Sequence, residues 1–341
     1  MTHQPPFTIT PAIICLIAEI GEGLGRLALL TDQARDLRLR RINRIRTIQG
    51  SLAIEGNSLD EEQITAILEG KRVIAPPREV REVRNALAAY DALPTWQVAS
   101  ESDLLQAHAL LMEGLIEDAG HYRRGGVGVM SGREVIHLAP PASRVPDLMA
   151  RLLDWLAGTD QHPLIASSVF HYEFEFIHPF ADGNGRLGRL WQTLILTGWN
   201  PLFAHIPVES LAHEHQQDYY RAIHDSTAQT DAAPFIEFML AMMRDAIAVS
   251  TPQVAPHVTP QVMRLLRICQ GPMSRGELQA ALGLKDRKSF RERYLRPALE
   301  AGLIAMTLPD RPNSPLQQYQ PTAAGQAAVL ANTPRPYADA P

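Results

Sequence analysis

Residues 178–189 read "HPFADGNGRLGR", and the rest of the chain is read outward from this string. The stretch before it, "SSVFHYEFEFI", and the one after it, "RLGRLWQTLIL", are both helical in pattern, so the string is a loop that feeds a helix N-terminus. Gly183 and Gly185 permit backbone angles and close approaches that side chains forbid. Successive N–H groups there, with the helix dipole, make a pocket for anionic oxygens. Asn184 either caps the helix or adds a donor. Arg186 and Arg189, three apart, project from one helical face beside that pocket, each with a forked set of donors suited to phosphate. Asp182 is a hard oxygen ligand of the kind magnesium takes together with phosphates. His178 brings an imidazole, which can take a proton from an attacking hydroxyl. Pro179 stiffens the entry, and Phe180 pins the loop from below. Base, metal ligand, anion cradle and cationic clamps together describe phosphoryl or nucleotidyl transfer.

The chain around this string is ordinary in composition. Of its 341 residues 45% are hydrophobic and 20% charged, a globular balance with length for two or three packing units. A formal net charge of -5 argues against a protein that coats nucleic acid along its whole surface, but not against a local basic patch. The two cysteines, Cys15 and Cys269, lie far apart and fit a reducing compartment with no disulfide framework. The apolar stretch "PAIICLIAEIGEGLG" is interrupted by Glu19 and Glu22 and is too short to span a bilayer. The expectation is a cytoplasmic protein without a membrane segment.

Helical periodicity dominates, with helices expected at 31–49, 58–70 (capped by Ser58), 79–93, 101–117, 145–157, 163–177, 185–197, 209–226 and 232–249. The six arginines of 31–49 fit a solvated helix face better than a nucleic-acid surface. "GVGVMSGREVIHLAPP" departs from the helical pattern and reads as a small β-hairpin, marginal alone and therefore laid over something. "STPQVAPHVTP" is a linker. Beyond it, helices at 260–270, 274–283 and 286–300 precede a strand, a proline-rich loop and a strand. Three helices followed by a two-stranded ribbon is the winged-helix arrangement.

The string at 178–189 resembles the motif of the Fic (filamentation induced by cAMP) family, His-Pro-Phe-x-Asp-Gly-Asn-Gly-Arg-x-x-Arg, at every specified position. "HYEFEFIHPF" and the helical setting from about 100 to 250 are similar as well. The resemblance implies a mainly α fold: a Fic-type helical bundle with a β-hairpin flap, followed here by a winged helix-turn-helix domain. It implies transfer of AMP from ATP to a Ser, Thr or Tyr hydroxyl of a target protein, self-modification included. His178 is then the catalytic base, Asp182 the magnesium ligand, and Gly183 through Arg189 (Asn184, Gly185, Arg186, Leu187 and Gly188 between them) the ATP-binding segment. His215, in "HQQDYY", takes the place where the family often has an adenine-contacting asparagine. Val127, Gly128, Val129, Val135, Ile136 and His137 form the flap that registers a target segment by strand addition.

A second string, "SLAIEGN" at 51–57, puts Ser51 and Glu55 four apart on one face of a helix that Gly56 ends. It resembles the inhibitory helix of one Fic class, in which the glutamate pairs with the motif's last arginine, here Arg189. The same glutamate could instead position water to remove AMP, making a hydrolase. The expected organisation is an N-terminal helical region at 1–98, a catalytic core at 99–250, a linker at 251–257, a winged-helix domain at 258–328 and a flexible tail at 329–341. From Val258 to Gly325 ten basic residues face five acidic ones, with "KDRKSFRER" opening the third helix. DNA binding and protein docking or dimerisation both fit that unit, and a DNA-binding regulator with a nucleotide-sensing core is the rival reading of the whole.

Overall fold

The computed structural model describes residues 4–30, 33–131, 134–250, 260–284 and 286–309, together with 311, 314, 316–322, 325, 326 and 329. The expected linker at 251–257 and all but residue 329 of the expected tail lie outside the described residues. The chain forms two compact units, Met1–Thr251 and Pro252–Pro341. The first takes in both the expected N-terminal region and the expected core.

Its elements are α1 (Pro11–Leu30), α2 (Gln33–Ile54), α3 (Glu61–Leu68), α4 (Pro77–Ala92), α5 (Glu101–Leu111), a hairpin of β1 (Gly128–Ser131) and β2 (Glu134–Leu138), α6 (Val145–Gly158), α7 (Pro163–Ile177), α8 (Asn184–Trp199), α9 (Val208–Glu214), α10 (Gln216–Gln229) and α11 (Ala233–Ser250). α7 is the axis. Its apolar residues are buried on almost every side, which is how a helix apolar all round behaves at the centre of a bundle. On one side Phe170, Phe174 and Ile177 join Ile48 and Leu52 of α2 and Leu187, Leu190 and Trp191 of α8 in one core. On the other, Leu164, Ile165 and Val169 meet α1, α10 and α11. The helix that holds Ser51, with Glu55 just past its end, is therefore built into the bundle.

Several expected boundaries move. The stretch at 11–30, read only as an interrupted apolar patch, is helix α1, with Ile13, Ile20, Leu24 and Leu27 buried on one stripe. The cap of α3 is Asp60, not Ser58: Asp60 accepts from the Gln63 N–H in a capping box, while Ser58 donates its hydroxyl to Glu79. The helix expected at 101–117 stops at Leu111, and Gly114 follows at φ +66. The helix expected at 209–226 breaks at His215, whose backbone (φ -108, ψ 33) is not helical. Arg41, Arg44 and Arg46 of α2 pair with Glu69, Asp91 and Glu61.

The hairpin forms as expected from its alternation, in the register Gly128 to Leu138 and Val129 to His137, with a bulge between Val129 and Met130. Its turn residues Gly132 and Arg133 lie outside the described residues. β2 lies against α10.

The second unit holds α12 (Pro260–Ile268), β3 (Met273–Ser274), α13 (Arg275–Ala281), α14 (Arg287–Phe290), α15 (Arg296–Glu300), β4 (Ile304–Met306) and β5 (Gln318–Pro321). A π-turn, Arg291–Leu295, joins α14 to α15 in one helical run. Pro297 lacks an N–H and would crowd the carbonyl four residues back, and the wider turn before it relieves that conflict. The two-stranded ribbon expected here is a three-stranded antiparallel sheet in the order β3-β5-β4. The extra strand was missed because it is two residues long and its second residue, Ser274, also caps α13.

Candidate active site

The motif loop is built by two left-handed residues. His178 ends α7 at φ 49, its N–H still bonded to the Phe174 carbonyl, and Gly183 starts α8 at φ 85. A non-glycine residue in this conformation is uncommon and must be held by its surroundings. Arg123 does this. It is 4% exposed. Its Nε donates to the His178 carbonyl (2.7 Å), and its terminal nitrogens donate to the carbonyls of Gly125 (2.8 Å), Pro140 (2.6 Å) and Ile177 (3.2 Å). Below the loop Phe180 is fully buried and stacks on His108, with ring centroids 3.6 Å apart. His108 accepts from the Gly120 N–H at Nδ1 (2.8 Å), so its Nε2 carries the proton and donates to the Asp182 carbonyl (3.0 Å). Burial pushes the His108 imidazole down to about 4, which keeps it neutral in this role.

Asn184 does not cap α8. Its Oδ1 accepts from the Phe180 N–H and its Nδ2 donates to the Phe180 carbonyl, both at 2.9 Å, so the amide clasps the loop shut. Its side chain is thereby used inside the protein. The backbone N–H groups of Asn184, Gly185 and Arg186, in the first turn of α8, have no intrahelical acceptor and remain available to an anion.

The charges form a chain of pairs. Asp182 Oδ1 accepts from the Gly183 N–H (2.6 Å) and from Arg186 (2.8 Å), and its Oδ2 lies 3.2 Å from Arg78 of α4. Arg186 Nη1 is 3.4 Å from Glu82, also of α4, which accepts from Asn57 (2.9 Å). Arg189 is 2% exposed: Nη2 donates to Glu55 Oε1 (2.7 Å) and to the Ser51 carbonyl (2.9 Å), while Nε donates to the Ser51 hydroxyl (3.0 Å). Burial opposes the Arg189 charge, but Glu55 and then Tyr219 and Glu175 hold its guanidinium protonated above its ordinary range. A β-carbon at Gly185 would collide with Glu55 Oε1 and with the Arg189 guanidinium, so a side-chain carboxylate already fills the space over the helix N-terminus.

Beneath His178 lies a residue that the sequence reading missed. Glu175 is buried, with Oε2 3.7 Å from His178 Nδ1, and the latter has no hydrogen-bond partner among the described residues. Burial works to raise the Glu175 carboxyl, yet His178, His171 and Arg189 together hold it below its usual range. His171 bonds Gln192 at Nδ1 (2.8 Å) and Tyr219 at Nε2 (3.1 Å), and burial pushes it down to about 4. His178-x-x-Glu175 spacing, read backward one helical turn, was the available signal for Glu175; Arg123, Glu82 and Arg78 come from distant segments and had none.

Ser51 and Glu55 are thus brought to the motif. His215 is exposed at the junction of α9 and α10, 3.8 Å from Asp218, and its neighbour Gln216 donates to the Ile54 carbonyl at the end of α2 (2.7 Å). Among the described residues no group of three or more His, Cys, Asp or Glu side chains could hold a metal. A lone carboxylate still suits magnesium, which takes phosphates and water for its other positions. The cradle also fits a triphosphate: free first-turn N–H groups, two guanidiniums, an Arg186 Nε with no partner among the described residues, and an acid in the anion position.

Comparison with known proteins agrees with this chemistry. The sequence model of the Fic/DOC family matches residues 98–196, and that of the Fic-like C-terminal domain (filamentation induced by cAMP protein Fic-like) matches residues 260–322. Protein adenylyltransferase Fic of Nematostella vectensis is 28% identical over 207 residues, 56% of this chain and 45% of that protein. Protein adenylyltransferase fic-1 of Caenorhabditis elegans is 30% identical over 205 residues, 55% of this chain and 37% of that protein. The chain thus spans less than half the length of these curated relatives. A solved structure of a Fic family protein from Desulfovibrio desulfuricans G20 is 57% identical, with 94% of this chain and 99% of that one covered and a TM-score of 0.71. With that identity over nearly its whole length, the chain belongs to the Fic family.

Proposed function

We propose that this protein is an autoinhibited adenylyltransferase that moves AMP from ATP to a Ser, Thr or Tyr hydroxyl of a target protein. The observation that carries the reading is the Arg189–Glu55 pair (2.7 Å) beside the free N-terminus of α8, the helix that the loop from His178 leads into. The first-turn N–H groups with Arg186 and Arg189 bind the triphosphate. Asp182 would hold magnesium, which would supply neutralisation of phosphate charge. Glu175 Oε2 lies 3.7 Å from Nδ1 of His178, on the side from which an acid orients a catalytic imidazole and leaves Nε2 as the acceptor. The target oxygen bonds to the α-phosphorus, its proton passes to Nε2, and the bond from that phosphorus to the β-bridging oxygen breaks, releasing pyrophosphate. The backbone edge of the hairpin takes the target segment as an added strand, which needs no particular side chain.

Glu55 restrains this reaction by occupying Arg189 and by placing a negative charge where phosphate oxygens must come. The two thiols, Cys15 and Cys269, are free, which fits the cytoplasmic location proposed for the enzyme. No described helix is long and apolar enough to cross a membrane. For the second unit we propose a winged helix-turn-helix domain, supported by its three helical segments and the β3-β5-β4 order, that engages a macromolecular partner.

Incubation of the Glu55→Gly variant with α-labelled and γ-labelled ATP tests the enzymatic reading. The expected result is protein-bound label, self-labelling included, from α only. Label from γ, or none in either, overturns it. Adding unlabelled wild-type protein and magnesium to the purified labelled variant reveals whether the wild-type glutamate also removes AMP.

A further inference from the structure

The second unit is basic in an acidic chain. Between Val258 and Gly325 the formal charge is +5, and the remaining residues carry -10. The placement of the acids sharpens this imbalance. Glu277 closes a capping box with Ser274, Asp286 caps α14 by accepting from the Ser289 N–H, and Glu292 and Glu300 both pair with Arg296 (3.1 and 3.5 Å). Asp310 lies outside the described residues. Every described acid of the unit is thus committed to a cap or to one arginine.

Four of the uncompensated cations lie together on the helical run from Arg287 to Glu300. Phe290, Tyr294, Leu295 and Ala298 turn inward to the core. Arg287, Lys288, Arg291 and Arg293 are exposed and form no ion pair among the described residues. Arg287 and Arg291 are one turn apart on the same outward face, with Lys288 beside them. Among the described residues no large hydrophobic is exposed between Pro260 and Glu300, and those exposed elsewhere in this unit, Leu308 and Leu316, lie in the β4–β5 connection.

We infer that this face binds double-stranded DNA, with the N-terminal half of the run entering the major groove. The inference rests on the winged-helix reading above and goes beyond it by naming the partner. A protein partner calls for an apolar or aromatic centre with charges at the rim, and this face has charge at its centre and no large apolar residue. A phosphate backbone is the polymer that uncompensated cations match. The major groove of B-DNA admits a helix, whereas that of A-form RNA is too narrow for side chains to read. Arg287, Lys288 and Arg291 supply phosphate contacts or bidentate contacts to guanine.

The test is fluorescence anisotropy of the full chain with a mixed-sequence DNA duplex across a salt series. The duplex RNA of the same sequence and an anionic lipid vesicle are the comparison probes. The expected result is binding to the DNA that weakens steeply with salt. The combined variant R287Q/K288Q/R291Q should lower the magnitude of the log–log salt slope by about three. Arg26→Gln, on the exposed face of α1, should leave it unchanged, and circular dichroism should show the variants folded. Absence of DNA binding at about 50 mM salt, an unchanged slope in the folded triple variant, or tighter binding to RNA or vesicles overturns the inference. A crystal structure with the strands out of the order β3-β5-β4 defeats the winged-helix reading; lack of DNA binding with that order intact defeats only the partner.

Discussion

Two arginine clusters, one at the start of α8 and one at the start of the helical run from Arg287, meet opposite surroundings. Arg186 and Arg189 are 5% and 2% exposed, and each is pinned by carboxylates from other segments. Arg287, Lys288, Arg291 and Arg293 stand in solvent with no partner among the described residues. In the first cluster, removing one partner strands a buried charge, so single substitutions carry large effects. In the second, each charge is screened and nearly independent, so effects are small and additive. The same residue type is tightly coupled to its partners where it is buried and nearly independent of them where it is not.

The comparison is broken most severely at His178. His178→Ala should lower AMP transfer by about two to four orders of magnitude, read as α-label incorporation in the Glu55→Gly background. Glu55→Gly alone should raise incorporation by about tenfold to a thousandfold, and an unchanged rate would mean that the buried pair is no brake. Glu175→Gln keeps the shape but removes the charge beneath Nδ1. It should slow transfer by about tenfold with little change in KM for ATP. The ¹⁵N shifts of His178 should report loss of the Nδ1–H tautomer, a readout independent of activity. Phe180→Ala should destabilise the first unit by about 3–5 kcal/mol in thermal unfolding, because the ring is fully buried between His108 and Phe174.

Acid sharpens the contrast further. His171 faces Glu175, Gln192, Tyr219 and Arg189, and burial holds its folded value at about 4 against 6.5. The unfolded chain therefore binds a proton that the folded one refuses. Stability from this group is present above pH 6.5 and is lost as pH falls toward about 4, by up to about 3 kcal/mol. Thermal midpoints of wild type between pH 7 and 4.5 should fall, and His171→Gln should flatten that slope. The smallest effect belongs to the exposed cluster: Arg293→Gln, alone, should change the salt slope of DNA binding by about one or less.

The loop at 178–189 was legible because its chemistry is local. Twelve consecutive residues carry base, carboxylate, glycines and guanidiniums, and backbone N–H groups at a helix start need no distant help to be read. The pairing of Ser51 and Glu55 with Arg189 was legible only through a family resemblance, since no rule of spacing joins positions 134 or more apart. The role of Asn184 was misjudged for a related reason: its amide is spent on Phe180, a contact made possible by the left-handed turn between them.

By itself, the sequence determined the helical class, the loop between α7 and α8, the hairpin, and the charge imbalance of the second unit, because periodicity, turn residues and net charge act over short range. Tertiary structure alone decided that Arg123 holds the left-handed His178, that Glu175 lies under its ring, and that Glu82 and Arg78 cover Arg186 and Asp182. Those contacts join segments far apart in the chain, and the energy of a buried charge depends on which partners packing brings to it.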